Sequence, residues 1–119
     1  MRLLSKQALD GNVETIILSE LNGGENYGYA LIHDINEKHR GLLALGEGTI
    51  YPVLYRMEDK GLIQSEVRKT AAGRDRKYYR VSPRGRKVLR ENLRQWEAMV
   101  KVMQKIRDGI AENPRIATT

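Results

Sequence analysis

His33 and His39 are the two histidines of a 119-residue chain that also carries 15 carboxylates and no cysteine. Imidazoles ligate metals or move protons when a second suitable group shares their face. Six residues apart, these two do not share one face of a helix, and His33 reads as a surface or boundary residue. No pair of carboxylates stands in the apolar setting that would split their pKa values for general acid–base work. The absence of cysteine excludes a thiol nucleophile, a Cys-ligated zinc, an iron–sulfur cluster and a disulfide framework. Gly46-Glu47-Gly48 lacks the third glycine and the preceding strand of a dinucleotide fingerprint, and no Gly-Lys-Ser/Thr phosphate loop occurs. The expectation is a chain without catalytic residues, cofactor or metal.

Cationic chemistry, by contrast, is concentrated. The net charge is +6, but residues 1–61 hold six basic and nine acidic side chains, whereas residues 62–90 hold ten basic and two acidic. That block comprises Arg68, Lys69, Arg74, Arg76, Lys77, Arg80, Arg84, Arg86, Lys87 and Arg90. A merely solvated face intersperses both signs; a run this one-sided points to a polyanionic partner. Just upstream, Thr49, Tyr51, Tyr55 and Arg56 offer hydroxyl bonds, contact with a thymine methyl, or a guanidinium fork for guanine, and Thr49 or Tyr51 equally suits a phosphate. Glu47 either accepts from cytosine or offsets the dipole of the helix that it opens.

These side chains need elements to hold them. Leu9, Val13, Ile16, Ile17 and Leu21 follow helical spacing and predict a helix from about Asp10 to Asn22, closed by Gly23-Gly24. Asn26 is expected to cap a second helix carrying Tyr27, Leu31, Ile32 and Ile35 and ending near Lys38 to Gly41. After Leu42-Leu43-Ala44-Leu45, a third helix is predicted over Glu47–Lys60, burying Ile50, Leu54 and Met57, with a local adjustment near Gly48 because Pro52 removes an amide. The period then changes. Leu62–Arg68 and Arg76–Val81 read as short strands around a flexible basic tip, and Ser82-Pro83 opens a last, long helix. Leu89, Trp96, Met103 and Ile110 repeat every seven residues along it, flanked by Leu93 and Val100 and by Met99 and Ile106, which predicts packing on another helix.

Three helices followed by a basic hairpin form the plan of a winged helix-turn-helix, so the expected fold is mainly α: a winged helix-turn-helix over residues 1–82, a C-terminal dimerisation helix over 83–112 and a flexible tail over 113–119. In that plan the third helix enters the major groove of double-stranded DNA and the wing lies along the backbone. A membrane partner is not expected, because no stretch is apolar enough to span one, and the missing signal-peptide pattern and cysteines favour the cytoplasm. A winged-helix module that only docks protein or assembles through its last helix is the alternative, and a charge-poor wing would have favoured it. RNA recognition commonly uses an exposed aromatic platform, and only Tyr78 and Tyr79 cluster near the basic block.

The run Gly48-Thr49-Ile50-Tyr51-Pro52-Val53-Leu54-Tyr55-Arg56-Met57-Glu58-Asp59-Lys60-Gly61-Leu62-Ile63, the later run Gly73 to Gly85 with Tyr78-Tyr79-Arg80-Val81-Ser82-Pro83, and Tyr27-Gly28-Tyr29 resemble the PadR family of bacterial transcriptional regulators over about residues 9–100. The resemblance implies a homodimeric repressor that binds a pseudo-palindromic operator and is released by a small effector. The expected DNA contacts are Tyr27, Thr49, Tyr51, Tyr55, Arg56, Arg74, Arg76 and Lys77. The single C-terminal helix is similar to that of the shorter family group, in whose small multidrug-binding members a tryptophan from each C-terminal helix lines an apolar pore. Trp96 stands at the matching place, where it either packs or meets an aromatic effector, with Leu89, Leu93, Met99, Val100 and Met103 along the same dimer interface. The Ser-Pro that often opens the family's third helix is Gly46-Glu47 here, which weakens any transfer of contacts at that end.

Overall fold

The computed structural model describes residues 2–112; the expected flexible tail lies outside the described residues. The elements are α1 (Lys6–Leu9), α2 (Val13–Asn22), β1 (Asn26–Tyr27), α3 (Gly28–Lys38), α4 (Glu47–Asp59), β2 (Ile63–Lys69), β3 (Asp75–Val81) and α5 (Pro83–Glu112). The described residues divide into two units, the first ending at Leu89 and the second starting at Arg90. The first is a winged helix with an antiparallel sheet of order β1-β3-β2. The second, so far as it is described, is the continuation of α5.

The first predicted helix is in fact two. Gly11 takes φ +82°, a conformation open to glycine, and separates α1 from α2. Leu9 therefore reaches the core from α1, whose first turn Ser5 caps by accepting from the Ala8 amide at 3.1 Å. Asn26 does not cap α3. It lies in β1, where its side chain donates to Asp34 at 3.0 Å and accepts from the Tyr27 amide, while Tyr27 itself occupies the cap position. Tyr27 is thus a strand residue opposite Tyr78, not a residue of the helix stripe. Asn36 of α3 pairs with the link to α4: its side-chain amide donates to the Leu45 carbonyl at 2.7 Å and its oxygen accepts from the Leu45 amide at 2.8 Å. That pair closes the link while Leu43 and Leu45 enter the core.

Helix α4 buries Ile50, Val53, Leu54 and Met57, one residue more than expected, and runs unbroken through Pro52. Proline denies the Gly48 carbonyl its amide partner, but both residues are exposed, so water can supply it. Strands β2 and β3 pair from Ile63↔Val81 to Lys69↔Asp75. The tip is a tight turn in which Thr70 N donates to Arg74 O at 2.7 Å, Gly73 N donates to Thr70 O at 2.9 Å, and Gly73 takes φ +81°. Ser82 then caps α5, accepting from the Gly85 amide at 3.0 Å and donating to the Gly61 carbonyl at 2.6 Å. Gly85 has to be small: a Cβ there would lie 2.0 Å from the Leu62 carbonyl oxygen. This approach brings the start of α5 onto the rest of the first unit, the head, whose fully buried side chains include Ile17, Leu18, Leu31, Ile35, Ile50, Leu54, Met57, Ile63 and Tyr79. No helix among the described residues is long and apolar enough to cross a membrane.

Candidate nucleic-acid interface

Tyr51, Tyr55 and Glu58 recur at i, i+4 and i+7 along α4 and share one of its faces. Tyr51 is half-buried, with its ring over the start of α3. Gly28 makes room for it, since a Cβ there would come within 2.7 Å of the Tyr51 ring and hydroxyl. Burial, first, and then the charge of Glu47 push the Tyr51 phenol above its ordinary value, so it stays a neutral hydroxyl donor. Tyr55 lies beside it, ring centroids 6.3 Å apart, and is 53% exposed. Thr49 is half-buried and Arg56 exposed on the same helix.

The period of two along the wing sorts its side chains onto two faces. Ser65 on β2 and Lys77 and Tyr79 on β3 lie on the face toward α4. There the Glu58 carboxylate accepts from the Ser65 hydroxyl and pairs with the Lys77 ammonium at 3.1 Å. Lys77 also lies 5.5 Å from the Tyr79 ring centroid and 5.7 Å from that of Tyr55. The Ser65 hydroxyl foremost, then Lys77, hold the Glu58 carboxyl below its ordinary range against the opposing effect of burial; Glu58 in turn raises Lys77. The opposite face carries Glu66, Arg68, Arg76, Tyr78 and Arg80. Arg68 makes a forked pair with Glu25 at 2.7 and 3.0 Å, meets Glu66 at 3.2 Å and covers the Tyr78 ring. Arg80 reaches Glu66 at 3.6 Å and Gln64 at 3.2 Å. Arg76 stacks over Tyr27 with its guanidinium carbon 4.2 Å from the ring centroid, and Tyr27 packs edge-on against Tyr78.

The structure thus brings Tyr27, Tyr51, Tyr55, Arg74, Arg76 and Lys77 around one open groove of about 450 Å³, together with Gly28, Tyr29, Asp75 and Tyr79. Thr49, near the start of α4, and Arg56, after Tyr55, lie outside this lining. Among the described residues Lys69, Arg74, Arg76, Arg84, Arg86, Lys87 and Arg90 have no carboxylate within ion-pair distance, whereas Arg68, Lys77 and Arg80 do. Sequence reasoning passed over Tyr29 and Glu58. Tyr29 had only its place in Tyr27-Gly28-Tyr29 to mark it, while the helical spacing from Tyr51 and Tyr55 to Glu58 was a readable signal. Along α5, Leu93, Trp96, Met99 and Met103 are exposed and Val100 is half-buried, but Leu89 is 7% exposed and belongs to the core of the first unit. The seven-residue repeat therefore begins one step late: the Ser82 cap and the Gly85 approach commit the first turns of α5 to the head.

Residues 17–91 match the sequence profile of the Transcriptional regulator PadR-like family. A transcriptional regulator from Clostridium thermocellum is 35% identical and superposes with a TM-score of 0.80, over 87% of this chain and 97% of that one. A PadR-like transcriptional regulator from Bacillus cereus is 31% identical, with a TM-score of 0.73 over 85% of this chain and 96% of that one. A transcriptional regulator of Mycobacterium tuberculosis is 44% identical over 54 residues, 45% of this chain and 50% of that protein. With a profile match over most of the winged helix and solved relatives that span nearly their full length, the chain belongs to the PadR-like family of transcriptional regulators.

Proposed function

We propose that the protein is a homodimeric repressor that binds a pseudo-palindromic operator in double-stranded DNA through α4 and the wing. The observation that carries this reading is the open groove lined by Tyr51 and Tyr55 of α4, Tyr27 of β1 and Arg74, Arg76 and Lys77 of the wing, in which Arg74 and Arg76 have no acidic partner among the described residues. Arg74 and Arg76 neutralise phosphates; Tyr27, Tyr51 and Thr49 donate to the backbone or to base edges; Tyr55 and Arg56 discriminate bases. The exposed apolar side chains Leu93, Trp96, Met99, Val100 and Met103 join a second copy, setting the two reading helices roughly 34 Å apart, about one duplex turn. A small aromatic effector at Trp96 releases the operator. No catalytic role is proposed.

Gel-shift titration of duplex DNA over a range of salt tests the reading. Affinity is expected to fall steeply with salt, and replacing Arg74 and Arg76 by Ala to lower the slope of log K on log salt by roughly two per head. Binding that ignores salt sinks it. Quenching of Trp96, the single tryptophan, by planar aromatic compounds tests the effector.

A further inference from the structure

Lys77 belongs by sequence to the same basic run as Arg74 and Arg76, and within a DNA-binding wing it would be counted as one more phosphate ligand. Its surroundings differ from theirs. It shares the inward face of β3 with Tyr79, which is 2% exposed, and its ammonium is 3.1 Å from Glu58 and within 6 Å of two tyrosine rings. The second oxygen of Glu58 is occupied by the Ser65 hydroxyl. One carboxylate on the reading helix therefore holds both strands of the wing, and the cation it holds lies against the face of Tyr55. The pair is formally neutral, so a phosphate gains little counter-ion release there unless it first breaks a three-element clamp.

We propose that Glu58 and Lys77 are positioning residues: together with Ser65 they lock the wing to α4 and hold the Tyr55 ring, so that Lys77 serves sequence discrimination through Tyr55 and the wing and does not itself neutralise a phosphate. The proposal rests on the DNA-binding reading above. It divides the wing cations by job: Arg68, Lys77 and Arg80 hold the hairpin in place, while Lys69, Arg74 and Arg76 are left for the duplex.

The two roles predict different outcomes for one substitution. If Lys77 were a phosphate ligand restrained by Glu58, Glu58→Gln would free a cation and raise affinity for random-sequence duplex. As a positioning pair, Glu58→Gln and Lys77→Met each lower, about tenfold, the preference for a duplex that the wild-type protein has enriched from a random library over a random duplex. Neither changes the salt slope, whereas Arg76→Met lowers it by about one. A swapped pair, Glu58→Lys with Lys77→Glu, restores part of the preference because the clamp is remade with its charges reversed; thermal melting of each variant shows that it folds. A slope loss of about one for Lys77→Met, a rise in random-duplex affinity for Glu58→Gln, or a swapped pair no better than the single changes would overturn the proposal. Were the wild-type protein to show no salt-dependent duplex binding, the DNA-binding reading would fall instead.

Discussion

Two glycines show how far a single missing methyl group reaches. At Gly85 the obstacle to a Cβ is backbone, the Leu62 carbonyl at 2.0 Å, which also accepts from the Ser82 amide and cannot retreat without opening the junction. Gly85→Ala is expected to destabilise the head by about 3 kcal/mol, a fall in melting temperature on the order of 10 °C or more. At Gly28 the obstacle is the half-buried Tyr51 ring, which can swing away. Gly28→Ala should change the melting temperature much less, because relief of the clash is assisted by the better helix propensity of alanine, about 1 kcal/mol at most. Its cost falls on duplex affinity through displaced Tyr51. A double-mutant cycle checks the assignment: in a Tyr51→Ala background, Gly28→Ala should no longer lower affinity and should be neutral or stabilising in thermal melts.

At the scale of elements, the helices that carry an uninterrupted apolar stripe were legible: α3 and α4 fall where 3.6-residue spacing and nearby glycines put them, and α5 where Ser82-Pro83 opens it. One missed element, β1, owes its existence to partners distant in sequence. Asn26-Tyr27 has no period of its own and becomes a strand only because Tyr78 and Tyr79 offer an open edge. The break at Gly11 was invisible because Leu9 and Val13 keep helical spacing across it. In the site, the cationic run was plain from composition, but which cations stay free depends on Glu25 and Glu58, 43 and 19 residues from Arg68 and Lys77. The Glu58 clamp carries a pH signature. Its carboxyl is held below the ordinary range chiefly by the Ser65 hydroxyl and then by Lys77, so its stabilising effect is present above that range and is lost as pH falls through the lowered value. The stability difference between the wild-type protein and Glu58→Gln, from urea melts at a series of pH values, should be constant near neutrality and shrink on acidification below ~pH 4.5. The Ser82 cap makes a second prediction here. Ser82 is 4% exposed and engaged at both ends, so Ser82→Ala strands the Gly61 carbonyl and the Gly85 amide at once and should cost about 2 kcal/mol, the upper end for a cap.

For the whole molecule, the decisive feature is the apolar stripe of α5 beyond Leu89. Leu93, Trp96, Met99, Met103 and Ile106 are each at least 42% exposed on one helix, interleaved with charged residues that keep the other face in water. A stripe of that composition is what the proposed dimer would bury against a second helix. Trp96→Asp places a carboxylate in the middle of the stripe, where pairing would desolvate it against apolar neighbours. The expected result is a halved mass by light scattering at low micromolar concentration, and a melting temperature that no longer rises with protein concentration as that of a dimer must. The head keeps its own core, so the variant should still bind one half-site. What it loses is the second contact. Two linked heads bind a two-fold duplex with an affinity beyond either alone, and their phosphate contacts add in the salt slope, so the variant's slope on the two-half-site duplex should fall to about half that of the wild type while its slope on a half-site stays the same. A Trp96→Asp protein of unchanged mass, or one whose slope is unchanged on both duplexes, would place the second copy elsewhere on the molecule.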